Sequence, residues 1–202
     1  MFDDVLSELE CGDYVTVHTN NKELKNKIKE LEANKTDGNA GVGKFTFICE
    51  NIKVDREDKY QFYVRFIDNK CNNKIEEYDS YVHTNDYETA VLDLINSMYT
   101  NGYVKLCASD VRYILDNKSF NHYKYIINEP VTPKLINNIL DNISTNNKKC
   151  ILICYGNDEV AKMEYNITCE VLKTRINEPW LLSYITNDNK SYDRHLSLYL
   201  EK

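Results

Sequence analysis

The sequence predicts an α+β or α/β fold, with a small α+β unit over residues 1–82 followed by an α/β domain over residues 83–202. In the first part, apolar and polar residues alternate with period two, which is typical of strands that bury one face. In the second part, amphipathic helices alternate with short apolar strands, an order typical of a mixed sheet covered by helices. The run CILICY at 150–155 has no polar alternation and indicates a strand buried on both faces.

The first part is predicted to be built from two helices and several antiparallel strands. The helix at 21–33 is indicated by Leu24, Ile28 and Leu31, which share one face at helical spacing. The other predicted elements are a short helix at 2–10, a strand at 13–19, strands at 44–54 and 60–67 forming an antiparallel hairpin, and a third strand at 75–82.

The second part is predicted to hold a mixed sheet of about four strands with helices on its faces. Its order is a helix at 86–98 with Asn85 as N-cap, a strand or turn at 104–107, a helix capped by Ser109, a strand at 120–127, a helix beginning at Thr132-Pro133, the strand CILICY, a helix at 157–173, and strands at 180–186 and 195–200. The helix at 157–173 is predicted to bury Val160, Met163, Ile167 and Val171.

The composition narrows the classes of partner. A net charge of -7 and a pI near 5.2 argue against nucleic acid as a partner, because binding its phosphates requires basic patches.

The start of the chain lacks the basic and apolar regions of a secretion signal, and no apolar run is long enough to span a membrane. Seven cysteines, an odd number, favour a reducing cytoplasm over a disulfide framework. The richness in Asn, Lys, Ile and Tyr suggests an AT-rich bacterial or phage genome.

No complete catalytic or cofactor motif is present. The segment from Gly38 to Lys44 matches the spacing of a phosphate-binding loop, but Phe45 stands where such a loop needs Ser or Thr. An alternating strand follows, where the motif requires a helix. The cysteines and histidines do not cluster at metal-ligand spacing. We therefore predict no catalytic residues, no nucleotide or other cofactor, and no metal.

The element order from residue 86 onward resembles the central helix and C-terminal domain of the FtsZ/tubulin superfamily. In that family the helix leads to a loop with the pattern N-x-D-x-x-D, which inserts into the nucleotide site of the next subunit. The segment at 102–112, GYVKLCASDVR, falls on this loop. Asp110 matches its last Asp, whereas Lys105 replaces the Asn and Cys107 replaces the first Asp. Gly156 and Glu164 match the Gly turn and the Glu-bearing helix that follow.

The resemblance implies a degenerate relative, similar to the family in its C-terminal half only. The Gly-rich nucleotide signature of the family is absent, and one carboxylate of the loop is lost, so the chain is expected to be non-enzymatic. The resemblance implies a protein that binds or modulates a cytoskeletal polymer or self-assembles, with a candidate interface at Lys105, Cys107, Asp110 and Arg112. Three alternatives remain. The first is convergence of element order. The second is an acidic inhibitor or immunity-type protein that neutralises a toxin or host enzyme through a tyrosine-rich face. The third is an enzyme of unrecognised type, which should have a concave pocket with convergent polar groups.

Overall fold

The computed structural model describes residues 8–11, 15–33, 44–50, 52–56, 61–68, 78–99, 102–143, 148–186 and 194–202. Its strands, in chain order, are β1 (Glu8–Cys11), β2 (Val15–His18), β3 (Lys44–Ile48), β4 (Gln61–Asp68), β5 (Ser80–Thr84), β6 (Lys118–Ile126), β7 (Cys150–Gly156), β8 (Trp180–Thr186) and β9 (His195–Glu201). Its helices are α1 (Lys22–Ala33), α2 (Tyr87–Tyr99), α3 (Ala108–Leu115), α4 (Pro133–Asp141) and α5 (Asp158–Arg175). The fold is therefore mixed α/β, as predicted.

All nine of these strands join one sheet, in the order β1-β2-β3-β4-β5-β6-β9-β7-β8. The neighbours from β2 to β6 pair in parallel, as do β7 and β8. Strand β9 runs antiparallel to both β6 and β7. The four strands predicted for residues 83–202 are present as the mixed group β6-β9-β7-β8. The predicted count is nevertheless too small, because five further strands continue the same sheet.

Helices cover both faces of this sheet. One buried cluster joins α1, α2 and α3 to apolar side chains such as Phe47 and Phe66. A second cluster joins α4 and α5 to the opposite face of β7, β8 and β9, through residues such as Leu152 and Leu198. Two-sided coverage explains why β7 is buried at every position, as the CILICY run predicted.

Several predictions for the first part are wrong. Strands β3 and β4 do not form a hairpin, because they pair in parallel. The connection at 49–60 is long enough for a crossover, which needs about a dozen residues. Residues 8–10 lie in β1 rather than in a helix. The Gly-rich loop at 38–43 lies outside the described residues. Of the strand predicted at 75–82, residues 75–77 also lie outside them, and residues 80–82 form the start of β5.

The predicted boundary between residues 82 and 83 falls inside β5. The sheet is continuous across it, since β5 pairs with β4 on one side and β6 on the other. The division into a unit at 1–82 and a domain at 83–202 stays a prediction.

The helix ends follow local chemistry. The N-cap of α4 is Thr132, whose hydroxyl accepts from the Leu135 N–H at 3.2 Å, with Pro133 in the first turn, as predicted. Helix α2 is capped by Asp86, whose carboxylate accepts from the Thr89 N–H at 3.0 Å, and not by Asn85. The inward face of α5 was predicted only in part. Val171 is buried as predicted, but Met163 is 52% exposed and Glu164 is buried instead.

Candidate interface loop

The segment that resembles the FtsZ-type loop, residues 102–112, connects α2 to α3 and includes the start of α3. We call it the interface loop. It is fixed to β8, where Val104 forms an antiparallel bridge with Tyr184. The Val104 N–H donates to the Tyr184 carbonyl at 3.2 Å, and the Tyr184 N–H donates to the Val104 carbonyl at 3.1 Å. The Ser183 hydroxyl donates to the same Val104 carbonyl at 2.8 Å.

Gly102 permits this close approach. A Cβ at this position would lie 2.4 Å from the Tyr184 carbonyl oxygen, well inside van der Waals contact. On the far side of Val104, the Leu106 N–H donates to the Ser97 carbonyl of α2 at 2.8 Å. Backbone hydrogen bonds thus hold the loop to β8 at Val104 and to α2 at Leu106.

The predicted residues occupy the surface of this loop. Lys105, Cys107 and Asp110 are exposed, and Asp110 lies in the first turn of α3, as expected. Its carboxylate there interacts favourably with the helix dipole. Arg112 differs, because its guanidinium lies 5.3 Å from the centroid of the Phe62 ring in β4. Three of the four side chains therefore face solvent, and Arg112 packs against the domain.

The predicted cap of α3 is wrong. The N-cap is Cys107, whose side chain makes no capping hydrogen bond. Ser109 lies inside the first turn, and its Oγ is 2.9 Å from the Cys107 Sγ. The error arises because Ser is a favoured N-cap residue, whereas the bridge at Val104 fixes where the chain turns into the helix.

Two exposed tyrosines extend the surface that the sequence pattern identified. Tyr103 is 43% exposed and Tyr113 is 62% exposed. Tyr103 packs edge-on against Tyr165 of α5, with ring centroids 5.6 Å apart. The Lys149 ammonium lies 4.8 Å from the Tyr113 ring centroid. Tyrosines of this kind are enriched at protein interfaces, and their position next to Lys105 and Asp110 could not be read from the sequence.

A buried ion pair lies beneath the bridge to β8. The Tyr184 hydroxyl donates to Glu164 Oε2 at 2.5 Å, and Arg194 Nη2 donates to Glu164 Oε1 at 2.5 Å. Burial and the neighbouring Glu164 carboxylate raise the pKa of Tyr184, so its hydroxyl remains a donor. A Cβ on Gly156 would lie 1.9 Å from the Tyr184 hydroxyl oxygen. The Gly and Glu that match the family pattern therefore meet around one side chain, whose backbone anchors the interface loop.

A second polar group lies under α2, where Asp93 is only 4% exposed. Its Oδ2 accepts from the Ser197 hydroxyl and lies 2.9 Å from His195 Nε2. The Ser197 Oγ lies 3.1 Å from His122 Nε2, and His122 Nδ1 lies 2.9 Å from the Thr84 hydroxyl. Burial lowers the pKa of His122 to about 4, although Asp93 and Asp86 oppose the shift.

The hydrogen bonds of Ser197 differ from those of a serine nucleophile. The Ser197 hydroxyl donates to Asp93, and its oxygen can then accept from His122 Nε2–H, with Nδ1 accepting from Thr84. In a serine nucleophile the histidine instead accepts the serine proton. Ser197 is also fully buried.

The phosphate-loop, metal and membrane features considered in the sequence can be compared with the described residues. Lys44 begins β3 rather than a helix, which does not match a phosphate-binding loop. Within the described ranges, no three His, Cys, Asp or Glu side chains lie close enough to hold a metal ion. None of the helices described is both long and apolar enough to cross a membrane.

Comparison with known proteins gives a structural likeness and no sequence match. No protein-family model matches the sequence, and no curated protein is detectably similar to it. An FtsZ dimer from M. jannaschii aligns with a TM-score of 0.58 at 11% identity, covering 89% of this chain and 68% of that one. A mutant of M. jannaschii FtsZ aligns with a TM-score of 0.58 at 10% identity, covering 90% and 68%.

GDP-bound CetZ1 from Haloferax volcanii is less similar in structure, with a TM-score of 0.44 at 6% identity. That alignment covers 79% of this chain and 64% of that one. The FtsZ alignments extend beyond residues 83–202, to which the sequence limited the resemblance. They therefore show that this chain has a tubulin/FtsZ-like fold.

Proposed function

We propose that this protein is a non-catalytic, tubulin/FtsZ-like protein that binds or modulates a cytoskeletal polymer, or assembles with itself, through the interface loop. The similarity in fold to FtsZ supports the general class. The observation that carries the proposal is the construction of the loop, which is anchored to β8 and α2 while Lys105, Cys107 and Asp110 face solvent. A surface ordered before binding loses less conformational entropy on association.

The proposal places this activity in the cytoplasm with a protein as partner. Five cysteines, Cys49, Cys107, Cys150, Cys154 and Cys169, are free thiols, as a reducing compartment would allow. The net charge of -7 disfavours nucleic acid as the partner. Exposed Tyr103 and Tyr113 beside the charged loop residues fit a protein partner instead.

The absence of nucleotide turnover is the first expected result. Lys44 starts a strand and is followed by Phe45, so no helix N-terminus faces a phosphate there. We expect no heat of binding for GTP or ATP at micromolar concentration in calorimetry, and no release of phosphate. Binding that disappears in Lys44→Ala would contradict this expectation.

The second expected result concerns the loop itself. The double variant Lys105→Ala/Asp110→Ala should weaken self-association, or binding to FtsZ or tubulin-like filaments from the same source. The melting temperature should change little, because both side chains are exposed and the dipole interaction of Asp110 contributes only about 0.3–1 kcal/mol. Co-sedimentation with filaments and analytical ultracentrifugation of the protein alone measure the two forms of association.

A matched control is available on α5. Asp158 lies in the first turn of α5 as Asp110 does in α3, and Lys162 is exposed. Asp158→Ala/Lys162→Ala therefore removes the same charges from another helix start and should leave association unchanged. If the wild type does not associate, or if the two double variants behave alike, the interface loop is not the binding surface. One tightly bound basic partner with no effect on polymers would favour the inhibitor alternative.

A further inference from the structure

The carboxyl ends of the parallel strands β2, β3 and β5 meet at one edge of the sheet. Ligands of open α/β sheets bind at this edge, outside the ends of the strands. Helices α1 and α2 also begin here, and helix N-termini attract anions because their first N–H groups lack partners within the helix. An external oxyanion would therefore be expected to bind at this edge.

In this chain, however, six backbone N–H groups at this edge already donate to side-chain oxygens of the same chain. The nitrogen–oxygen distances lie between 2.9 and 3.1 Å. The bonds run from the N–H of Asn20 to Glu50, of Asn21 to Thr19, of Glu23 and Leu24 to Asn21, of Asp86 to Thr84, and of Thr89 to Asp86.

Glu50 uses both carboxylate oxygens across this edge. Its Oε2 accepts from the Asn20 N–H at 3.0 Å, and its Oε1 accepts from the Tyr87 hydroxyl at 3.1 Å. The same hydroxyl accepts from the Asn21 side-chain amide at 3.3 Å. Glu50 has a φ of 59°, a left-handed conformation that is unfavourable for a residue with a Cβ. Arg65 holds this backbone by donating to the Glu50 carbonyl.

Asp86 supplies a second carboxylate at the start of α2. Its oxygens accept from the Thr89 N–H at 3.0 Å and the Thr89 hydroxyl at 2.5 Å. Partial burial raises the pKa of Asp86, but the bonds from Thr89 and the nearby charge of Lys124 lower it more, and the net pKa lies below the ordinary value. The Lys124 ammonium is 3.9 Å from this carboxylate. Asp86 is therefore ionised at neutral pH.

We propose that Glu50 and Asp86 are built-in anions, whose carboxylates occupy the positions that a phosphate or another oxyanion would take at this edge and so close it to external ligands. The proposal rests on these hydrogen bonds and is independent of the interface loop. In α1 the first N–H groups donate to the Asn21 side chain, and in α2 the Thr89 N–H donates to Asp86, so side chains of this chain accept from both helix N-termini.

The test is to remove the Glu50 carboxylate by mutation and to supply formate from solution in its place. Glu50→Ala should melt about 2–4 °C below the wild type in sodium chloride, the shift expected for loss of one cap-like interaction in a chain of this size. Sodium formate at the same ionic strength should restore most of that loss, because formate fits the vacated carboxylate position. Glu50→Gln fills the space without a charge and should not respond to formate. Ile48→Val, two residues earlier, controls for general stabilisation by the salt.

Each outcome decides the proposal. Restoration limited to Glu50→Ala supports it, and an equal response of Glu50→Ala and Ile48→Val overturns it. If Glu50→Ala does not fold in chloride, refolding from urea in formate supports the proposal and refolding in neither salt overturns it. Stabilisation of the wild type by pyrophosphate would show that the edge is open. The co-sedimentation experiment tests the interface loop independently. A negative result with formate therefore does not affect the proposed function of that loop.

Discussion

Replacing Ile153 by Asp is expected to prevent folding. Ile153 is fully buried in β7, between β8 and β9. A carboxylate at this position would have no partner and no access to water, and burying an unpaired polar or charged group costs several kcal/mol. That cost is comparable with the whole stability of a domain, about 5–15 kcal/mol. We expect the variant to be insoluble, or to lack the near-ultraviolet circular dichroism and cooperative melting of the wild type.

The matched control is Ile153→Val, which keeps the site apolar and should lose only about 0.5–1.5 kcal/mol. A soluble Ile153→Asp protein that melts with the wild type would show that β7 is not buried on both faces. Failure of both variants would instead indicate that the strand tolerates no change in shape, and would leave the role of charge unproven.

Replacing Asp93 by Ala should produce the second largest loss. The change leaves the Ser197 hydroxyl and His195 Nε2 without their shared acceptor, in a region where both residues are buried. Breaking a buried pair by removing one partner costs roughly 3–5 kcal/mol. For a chain of this length that corresponds to a fall in melting temperature of roughly 6–20 °C. Differential scanning calorimetry measures it directly.

Asp110→Ala is the control for Asp93→Ala, because it also removes a carboxylate from a helix, but one that is exposed rather than buried. Its melting temperature should stay within a few degrees of the wild type. A similar fall in melting temperature for the two variants would mean that the hydrogen bonds of Asp93 stabilise the fold no more than the interaction of Asp110 with the helix dipole does. That result would contradict the stabilising role of the network under α2.

The sequence was most informative where burial alone decides structure. A run with no polar residue, such as CILICY, can only be covered on both faces, and β7 is. The bounds of β8, at 180–186, and the Thr132-Pro133 start of α4 were also predicted, since apolar runs and N-cap chemistry are local properties. Strand direction is not local. The parallel pairing of β3 with β4 depends on the path of residues 49–60, and alternation reads the same in either direction.

The candidate site stays a prediction, and only its exposure and anchoring can be compared with the structure. Residues 102–112 were singled out by their resemblance to the FtsZ-type loop, whereas the anchor at Tyr184 depends on a contact 80 residues away in sequence. The buried polar network was missed for a different reason. His195, Ser197 and Tyr199 alternate with leucines, which usually indicates a solvent-facing side, but α2 covers them here. Asp93 on the apolar stripe of α2 was the available signal, because a buried carboxylate requires donors opposite it.

The position of β9 constrains when the molecule can fold during synthesis. It is the last strand in chain order that the structure describes, yet it lies between β6 and β7 and bonds to both. Until His195–Glu201 has been synthesised, β6 and β7 lack the strand that lies between them. We therefore expect the native sheet to be completed only after this late segment has left the ribosome.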